Sequence, residues 1–307
     1  MSKKKRRTSY IKYSYDDTFV DPLEQAEEYR IERMLKEGLV KSVYATKTIK
    51  AGNQFEVEIY PEFTKKEADA AKLVKTNKAQ KNLNSKNARK RLERLINNNF
   101  TDGDLWITMT YSPENLPKNI EEAQKNMQNF IGRINYRRKK EGLEKAKYIY
   151  VTEYNEKKKV RCHHHLIMDC GLDMDTVEKL WKKGKRNNVR RVSGDENGLS
   201  GLAQYLTKDP AGRKRWSSST NLKKPKESKS YSTFKASHVK KIVEGRTSIK
   251  EIVEKKYSKM IYTYEEIKYN KFNGKFYIYV RMRERRGHGE SDIAKHDRAV
   301  SARRKIE

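Results

Sequence analysis

The chain has 307 residues, with 71 Lys and Arg against 41 Asp and Glu, for a formal charge of +30. So large an excess, spread along the whole length, opposes compaction without an anionic partner, and it favours a phosphate-rich partner over a merely solvated basic surface. No run approaches the roughly 18 apolar residues of a spanning helix, the basic start lacks an apolar signal core, and Cys162 and Cys170 form neither a CxxC pair nor a disulfide framework; a soluble, unexported protein of a reducing cytoplasm is expected.

In chain order, Lys3, Lys4, Lys5, Arg6 and Arg7 read as a flexible basic arm. Residues 43–60 hold two β-rich runs about Gly52, the second alternating Phe55, Val57 and Ile59 with polar neighbours, which predicts a hairpin. Thr64 and Glu67 form a capping-box pattern opening a basic helical stretch to about Asn97, with Asn84 and Ser85 marking a potential break. "LWITMTY" (105–111) predicts a strand. After it, Ile120, Ala123, Met127, Phe130, Ile131 and Ile134 recur at helical steps behind an Asn119 cap.

"KYIYVTEY" (147–154) and "RCHHHLIMD" (161–169) predict an antiparallel strand pair across the polar loop NEKKK. A short helix from Asp173 to Lys183, a strand at 187–193 and a helix over "GLSGLAQYLTKD" complete a βαββαβ order with one added helix. That is the split-βαβ, ferredoxin-like arrangement, an α+β fold with an antiparallel sheet. Beyond Pro210, "RKRWSSSTNLKKPKESKS" reads as a linker or binding loop, followed by two short helical patterns. Aromatic-rich runs flank Asn273 and Gly274, a hairpin signal, and the tail after Gly287 reads as disordered. No G-x-x-x-x-G-K-[ST] run occurs, so an ATP-driven motor is not expected.

The densest chemistry is the histidine strand. Strand alternation puts His163, His165, Ile167 and Asp169 on one face and Cys162, His164, Leu166, Met168 and Cys170 on the other. If the hairpin is symmetric about Lys158, Glu153 stands opposite His163; an even slip keeps it on that face and an odd slip removes it. Two imidazoles with a carboxylate suit Mn²⁺, Zn²⁺ or Fe²⁺, and Mg²⁺ when a substrate phosphate and waters complete the octahedron. Structural zinc would more commonly bring cysteines, and packing histidines need no carboxylate opposite. The coincidence of all three groups in a basic chain favours a catalytic metal, with His164 left to the core or to support of the ligands.

Tyr205 and Lys208 lie three apart on the last helix and so share a face. A lysine beside a phenol favours its ionised form near a polarised phosphate. From spacing alone the plainer reading is an amphipathic helix with Leu202, Ala203 and Leu206 buried and Tyr205 at its edge.

Taken together these residues resemble the HUH endonucleases, specifically the single-tyrosine rolling-circle replication initiators (Rep proteins) of bacterial plasmids and phages. "WITMTY" is similar to their first motif, "HHHLIMD" to their His-hydrophobic-His metal motif with His164 in the middle place, and "YLTK" to their tyrosine motif. The resemblance covers residues 100–225 and departs from the family in having histidine at that middle place. It implies an HUH site on an antiparallel sheet, with Mg²⁺ or Mn²⁺ held by His163, His165 and, on the geometric argument, Glu153. It also implies Tyr205 as nucleophile on a helix packed against the same face, Lys208 assisting, and a 5′-phosphotyrosine intermediate with a free 3′-hydroxyl.

The partners implied are single-stranded or hairpin origin DNA and a host helicase and DNA polymerase, in a bacterial cytoplasm. DNA contacts are expected from Lys3, Lys4, Lys5, Arg6, Arg7, Arg190, Arg191, Arg213, Lys214, Arg215, Lys223 and Lys224. The expected organisation is a basic hairpin-plus-helix region at 1–100, the HUH endonuclease domain at 101–225, and C-terminal helices with a hairpin at 226–307. A conjugative relaxase or single-strand transposase of the same chemistry, and a non-enzymatic basic protein coating single-stranded nucleic acid, are the alternatives.

Overall fold

A computed structural model of the chain describes residues 42–63, 77–154, 161–185, 187–194, 198–206, 216–270 and 275–285. In chain order the elements are β1 (Ser42–Ala51), β2 (Gln54–Phe63), α1 (Asn77–Asn99), β3 (Leu105–Thr110), α2 (Ile120–Lys140), β4 (Tyr148–Glu153), β5 (His163–Met168), α3 (Met174–Lys179), β6 (Asn188–Arg191) and α4 (Ser200–Leu206). They continue with β7 (Ser217–Ser218), β8 (Lys226–Ser230), α5 (Ala236–Val243), α6 (Ile249–Lys256), β9 (Met260–Asn270) and β10 (Lys275–Glu284). The fold is mixed α+β with two antiparallel five-stranded sheets. No helix among the described residues is long and apolar enough to cross a membrane.

Contacts divide the chain into two compact units. One draws on Met1–Lys90 and Pro225–Arg285, the other on Arg91–Lys224 with Arg286–Glu307. The first unit has strand order β8-β1-β2-β10-β9, so a hairpin near the start of the chain and one near its end share a sheet. β1 and β2 turn at Gly52 and Asn53, where Gly52 adopts φ +57°, a left-handed conformation that costs glycine little. α5 and α6 bury Val239, Ile242, Ile249 and Val253 against Val57, Ile59, Ile278 and Val280 of that sheet.

The second unit has strand order β6-β3-β5-β4-β7. On one face α2 buries Ala123, Met127, Phe130, Ile131 and Ile134 against Ile107, Tyr150, Leu166 and Met168. Each large apolar side chain so buried contributes roughly 1.5–3 kcal/mol. The helix begins where the Asn119 side chain accepts the Glu122 N–H at 2.8 Å and ends in a basic turn, Arg137 to Lys140, that complements its dipole. Trp181, just past α3, is fully buried and donates its Nε1–H to the Thr110 carbonyl at 2.6 Å, tying this layer to the end of β3. On the other face Leu92, Ile96 and Phe100 pack with Leu199, Ala203 and Leu206 over Trp106, Ile149, Val151 and Ile167.

Three sequence expectations change. The helix runs unbroken through Asn84 and Ser85, because side-chain preference for turns at two positions is outweighed by continuous backbone hydrogen bonding. Asp169 does not follow its alternating neighbours. β5 ends at Met168, and the Asp169 carboxylate accepts two bonds of 2.9 Å from Arg138 of α2. The segment read as a linker or binding loop instead contributes strands, Ser217–Ser218 to the edge of β4 and Lys226–Ser230 to β1. The arm at Lys3–Arg7, the capping pattern at Thr64 and Glu67, the turn at Asn273–Gly274 and the tail after Gly287 lie outside the described residues.

Candidate metal centre

Antiparallel pairing aligns β4 and β5 so that Glu153 is directly opposite His163, Val151 opposite His165 and Ile149 opposite Ile167. β3 flanks the other side, with Thr110 opposite His163, Thr108 opposite His165 and Trp106 opposite Ile167. Pleating therefore collects these residues on one face. Its lower part is the apolar patch under α1 and α4; above it the side chains become polar and partly open.

At that boundary Glu153, His163 and His165 each present a ligand atom, all within 4.8 Å of one another, a candidate metal-binding cluster. The Nε2 atoms of both rings point at the carboxylate: His163 Nε2 is 3.4 Å from Oε2 and His165 Nε2 is 3.4 Å from Oε1. The ring planes are perpendicular with centroids 4.7 Å apart, so the two lone pairs converge rather than run parallel. The opposite ring nitrogens are engaged elsewhere. His163 Nδ1 lies 2.9 Å from the Arg161 carbonyl, and His165 Nδ1 lies 3.2 Å from Thr108 Oγ1. Partners on Nδ1 orient a ring and leave Nε2 for a cation, the usual outer-shell arrangement around ligating histidines.

Burial sets the electrostatics. The His165 ring is lowered to about 4, first by desolvation and then by the neighbouring His163 ring, so it is neutral at physiological pH, the form that coordinates metal. His164, on the opposite face, is fully buried and lowered to about 3 by desolvation and by both flanking histidines. Its Nε2 meets the Tyr111 hydroxyl at 2.8 Å and its Nδ1 the Thr152 hydroxyl at 2.9 Å, while Trp181 packs edge-on at 5.5 Å. It belongs to the core beneath the cluster. Desolvation raises both thiols, Cys162 and Cys170, to about 12, which leaves them protonated and unreactive.

Tyr205 lies in α4, whose Ala203 and Leu206 pack over Val151 and Ile167 on the face that carries the two histidines. The Tyr205 side chain, Lys208, Arg213, Lys214 and Arg215 fall outside the described residues. Arg190 and Arg191 are exposed on β6; Arg190 is in register with Trp106 and hence on the histidine face, while Arg191 donates to the Gly103 carbonyl at 3.1 Å. Lys223 and Lys224 are exposed, and the Lys223 backbone is held by Asn98 and Asn99.

Sequence reasoning had passed over Thr108, Trp106 and the Arg161 carbonyl, which surround the ligand rings. Alternation within "WITMT" gave a signal, since it puts Trp106, Thr108 and Thr110 on one face, but only the β3–β5 register joins that face to the histidines. No curated protein and no solved structure matches the chain. Residues 104–210, which hold Glu153, His163, His165 and the helix of Tyr205, match the family model of the replication-associated protein ORF2, a match consistent with a role in the initiation of replication.

Proposed function

We propose that this protein is a rolling-circle replication initiator of the HUH endonuclease type, nicking and rejoining single-stranded origin DNA with Tyr205 as nucleophile. The observation that carries this reading is the convergence of Glu153, His163 and His165 on the sheet face covered by the tyrosine helix, within the segment matching a replication-associated family. The strand order β6-β3-β5-β4, all antiparallel, further supports the ferredoxin-like layout that such a site needs.

The donor set fits a divalent cation such as Mn²⁺ or Mg²⁺: two neutral imidazole nitrogens and one carboxylate on rigid strands, with room for phosphate and water. Such an ion supplies polarisation of a non-bridging phosphate oxygen when bound. Glu153, His163 and His165 hold it and thereby fix where the phosphodiester lies. Tyr205 attacks phosphorus; the Tyr Oη–P bond forms, the P–O3′ bond breaks, and the phenolic proton leaves to base or water. The products are a 5′-phosphotyrosine and a free 3′-hydroxyl that a host polymerase extends. Lys208 offsets charge on the phenolate and phosphate. Attack by a 3′-hydroxyl on the phosphotyrosine reverses the step, so rejoining needs no ATP. Arg190, Lys223 and Lys224, with the Lys3–Arg7 arm, Arg191 and Arg213–Arg215, bind the DNA backbone, giving affinity a log–log salt slope of about −0.7 per phosphate on single strands.

The test is incubation with Mn²⁺ and single-stranded DNA carrying the origin, followed by denaturing electrophoresis. A covalent adduct that disappears in Tyr205→Phe, with salt-sensitive DNA binding retained, is the expected result. An adduct undiminished in Tyr205→Phe, or formed equally in EDTA, overturns the assignment.

A further inference from the structure

The two ligand rings are oriented by different kinds of partner. His163 Nδ1 faces a main-chain carbonyl, that of Arg161, at 2.9 Å. A carbonyl only accepts, so this nitrogen must carry the proton and the Nε2 lone pair is left free whatever the neighbouring side chains are. His165 Nδ1 faces the Thr108 hydroxyl at 3.2 Å, and a hydroxyl can accept or donate. The tautomer of His165 is therefore set by a side chain. Its ring plane is set by another, since the Trp106 ring lies parallel to it, 12° apart in plane and 5.9 Å between centroids. Both residues come from β3, which contributes no ligand to the cluster.

We propose that Thr108 is a positioning residue for the metal centre: its hydroxyl accepts the Nδ1–H of His165 and so keeps the Nε2 lone pair on the side of Glu153. The inference rests on the reading of Glu153, His163 and His165 as a metal site and names what prepares that site before the ion arrives. Thr108 suits the task sterically, because it is half-buried mid-strand directly opposite His165, and a β-branched residue holds its rotamer there. Were the hydroxyl to donate instead, the proton would sit on Nε2, 3.4 Å from the Glu153 carboxylate, and the ring would be an ion-pair partner rather than a ligand.

The test compares wild type, Thr108→Val and Thr108→Ser by calorimetric titration with Mn²⁺, with the histidine tautomers read by long-range ¹⁵N–¹H NMR on the metal-free protein. Valine keeps the shape and the strand preference and removes only the hydroxyl. The expected result is Mn²⁺ affinity weakened roughly 10- to 100-fold in Thr108→Val, the range for loss of an outer-shell partner, with most of it restored in Thr108→Ser. Wild type should show the His165 proton on Nδ1, a measurement that stands even if the valine variant does not fold. Equal affinity in Thr108→Val, or a wild-type ring protonated on Nε2, overturns the role of Thr108 while leaving the metal site in place. A wild-type protein that binds no Mn²⁺ overturns the metal reading and the inference together.

Discussion

Glu153 and His163 stand directly opposite each other on neighbouring antiparallel strands, with Oε2 and Nε2 3.4 Å apart. This one pairing decides whether the histidine strand has a carboxylate to work with, because a slip of one residue would turn Glu153 to the face of α2. Their proximity also defines the first expectation. Glu153→Gln, which keeps shape and removes charge, should abolish tight Mn²⁺ binding, as should His163→Ala and His165→Ala. Each loss should exceed the roughly 10- to 100-fold effect of an outer-shell change. Calorimetric titration checks this, and wild-type affinity in any of the three removes that residue from the ligand set.

The pH dependence of stability follows from the buried rings. In the unfolded chain a histidine titrates near 6.5, while His164 and His165 are lowered to about 3 and about 4 in the fold. Below pH 6.5 the unfolded state thus binds more protons, so the stabilisation is complete above that pH and is lost as pH falls toward the folded values. In the metal-free protein each ring should contribute a slope of up to about 1.4 kcal/mol per pH unit between pH 6.5 and 5, above the range in which carboxylates titrate. Denaturant titrations at half-unit intervals measure it; a flat profile over this window contradicts the neutral, buried rings.

Gly184 is required by close backbone approach. A Cβ there would lie 2.2 Å from the Thr110 carbonyl oxygen and 2.8 Å from its carbon, and backbone at the end of a paired strand cannot swing aside as a side chain can. Gly184→Ala should destabilise the protein by about 1–3 kcal/mol, the usual range for overpacking. Since Thr110 is paired with His163, Mn²⁺ affinity should fall as well. Thermal unfolding with a parallel metal titration checks both.

The Arg138–Asp169 pair locks α2 to the end of β5. Arg138 is almost fully buried, its two terminal nitrogens bind the carboxylate at 2.9 Å, and its Nε donates to the Glu144 carbonyl at 2.6 Å. Arg138→Met should cost roughly 3 kcal/mol, toward the low end for breaking a buried pair, because the Asp169 side chain stays 25 % exposed and can recover some hydration. Adding Asp169→Asn should cost less than the sum of the two single changes. Strict additivity in denaturant titrations would mean the pair is not coupled.

Much of the second unit was legible in the residues alone. Alternation in "HHHLIM" separates His163 and His165 from His164, the three- and four-residue steps from Ala123 to Ile134 mark the buried stripe of α2, and Asn119 marks its start. These are local properties, set by backbone periodicity and by capping within a few residues, so they are written where they act. The resemblance of three short motifs to replication initiators drew on the same stretch that matches the replication-associated family, residues 104–210.

What only the tertiary structure decided depends on partners distant in sequence. The contact of Thr108 with His165 spans 57 positions, the β2–β10 pairing that unites the first unit runs between Gln54–Ile59 and Ile278–Arg283, and Asp169 leaves its alternating set for an arginine 31 positions earlier. Periodicity tells which side chains share a face of their own strand; it carries no information on which strand lies next to it. That choice is made by the collective burial of apolar faces, and it brings β3 beside the ligand strand and the helix of Tyr205 over the same face.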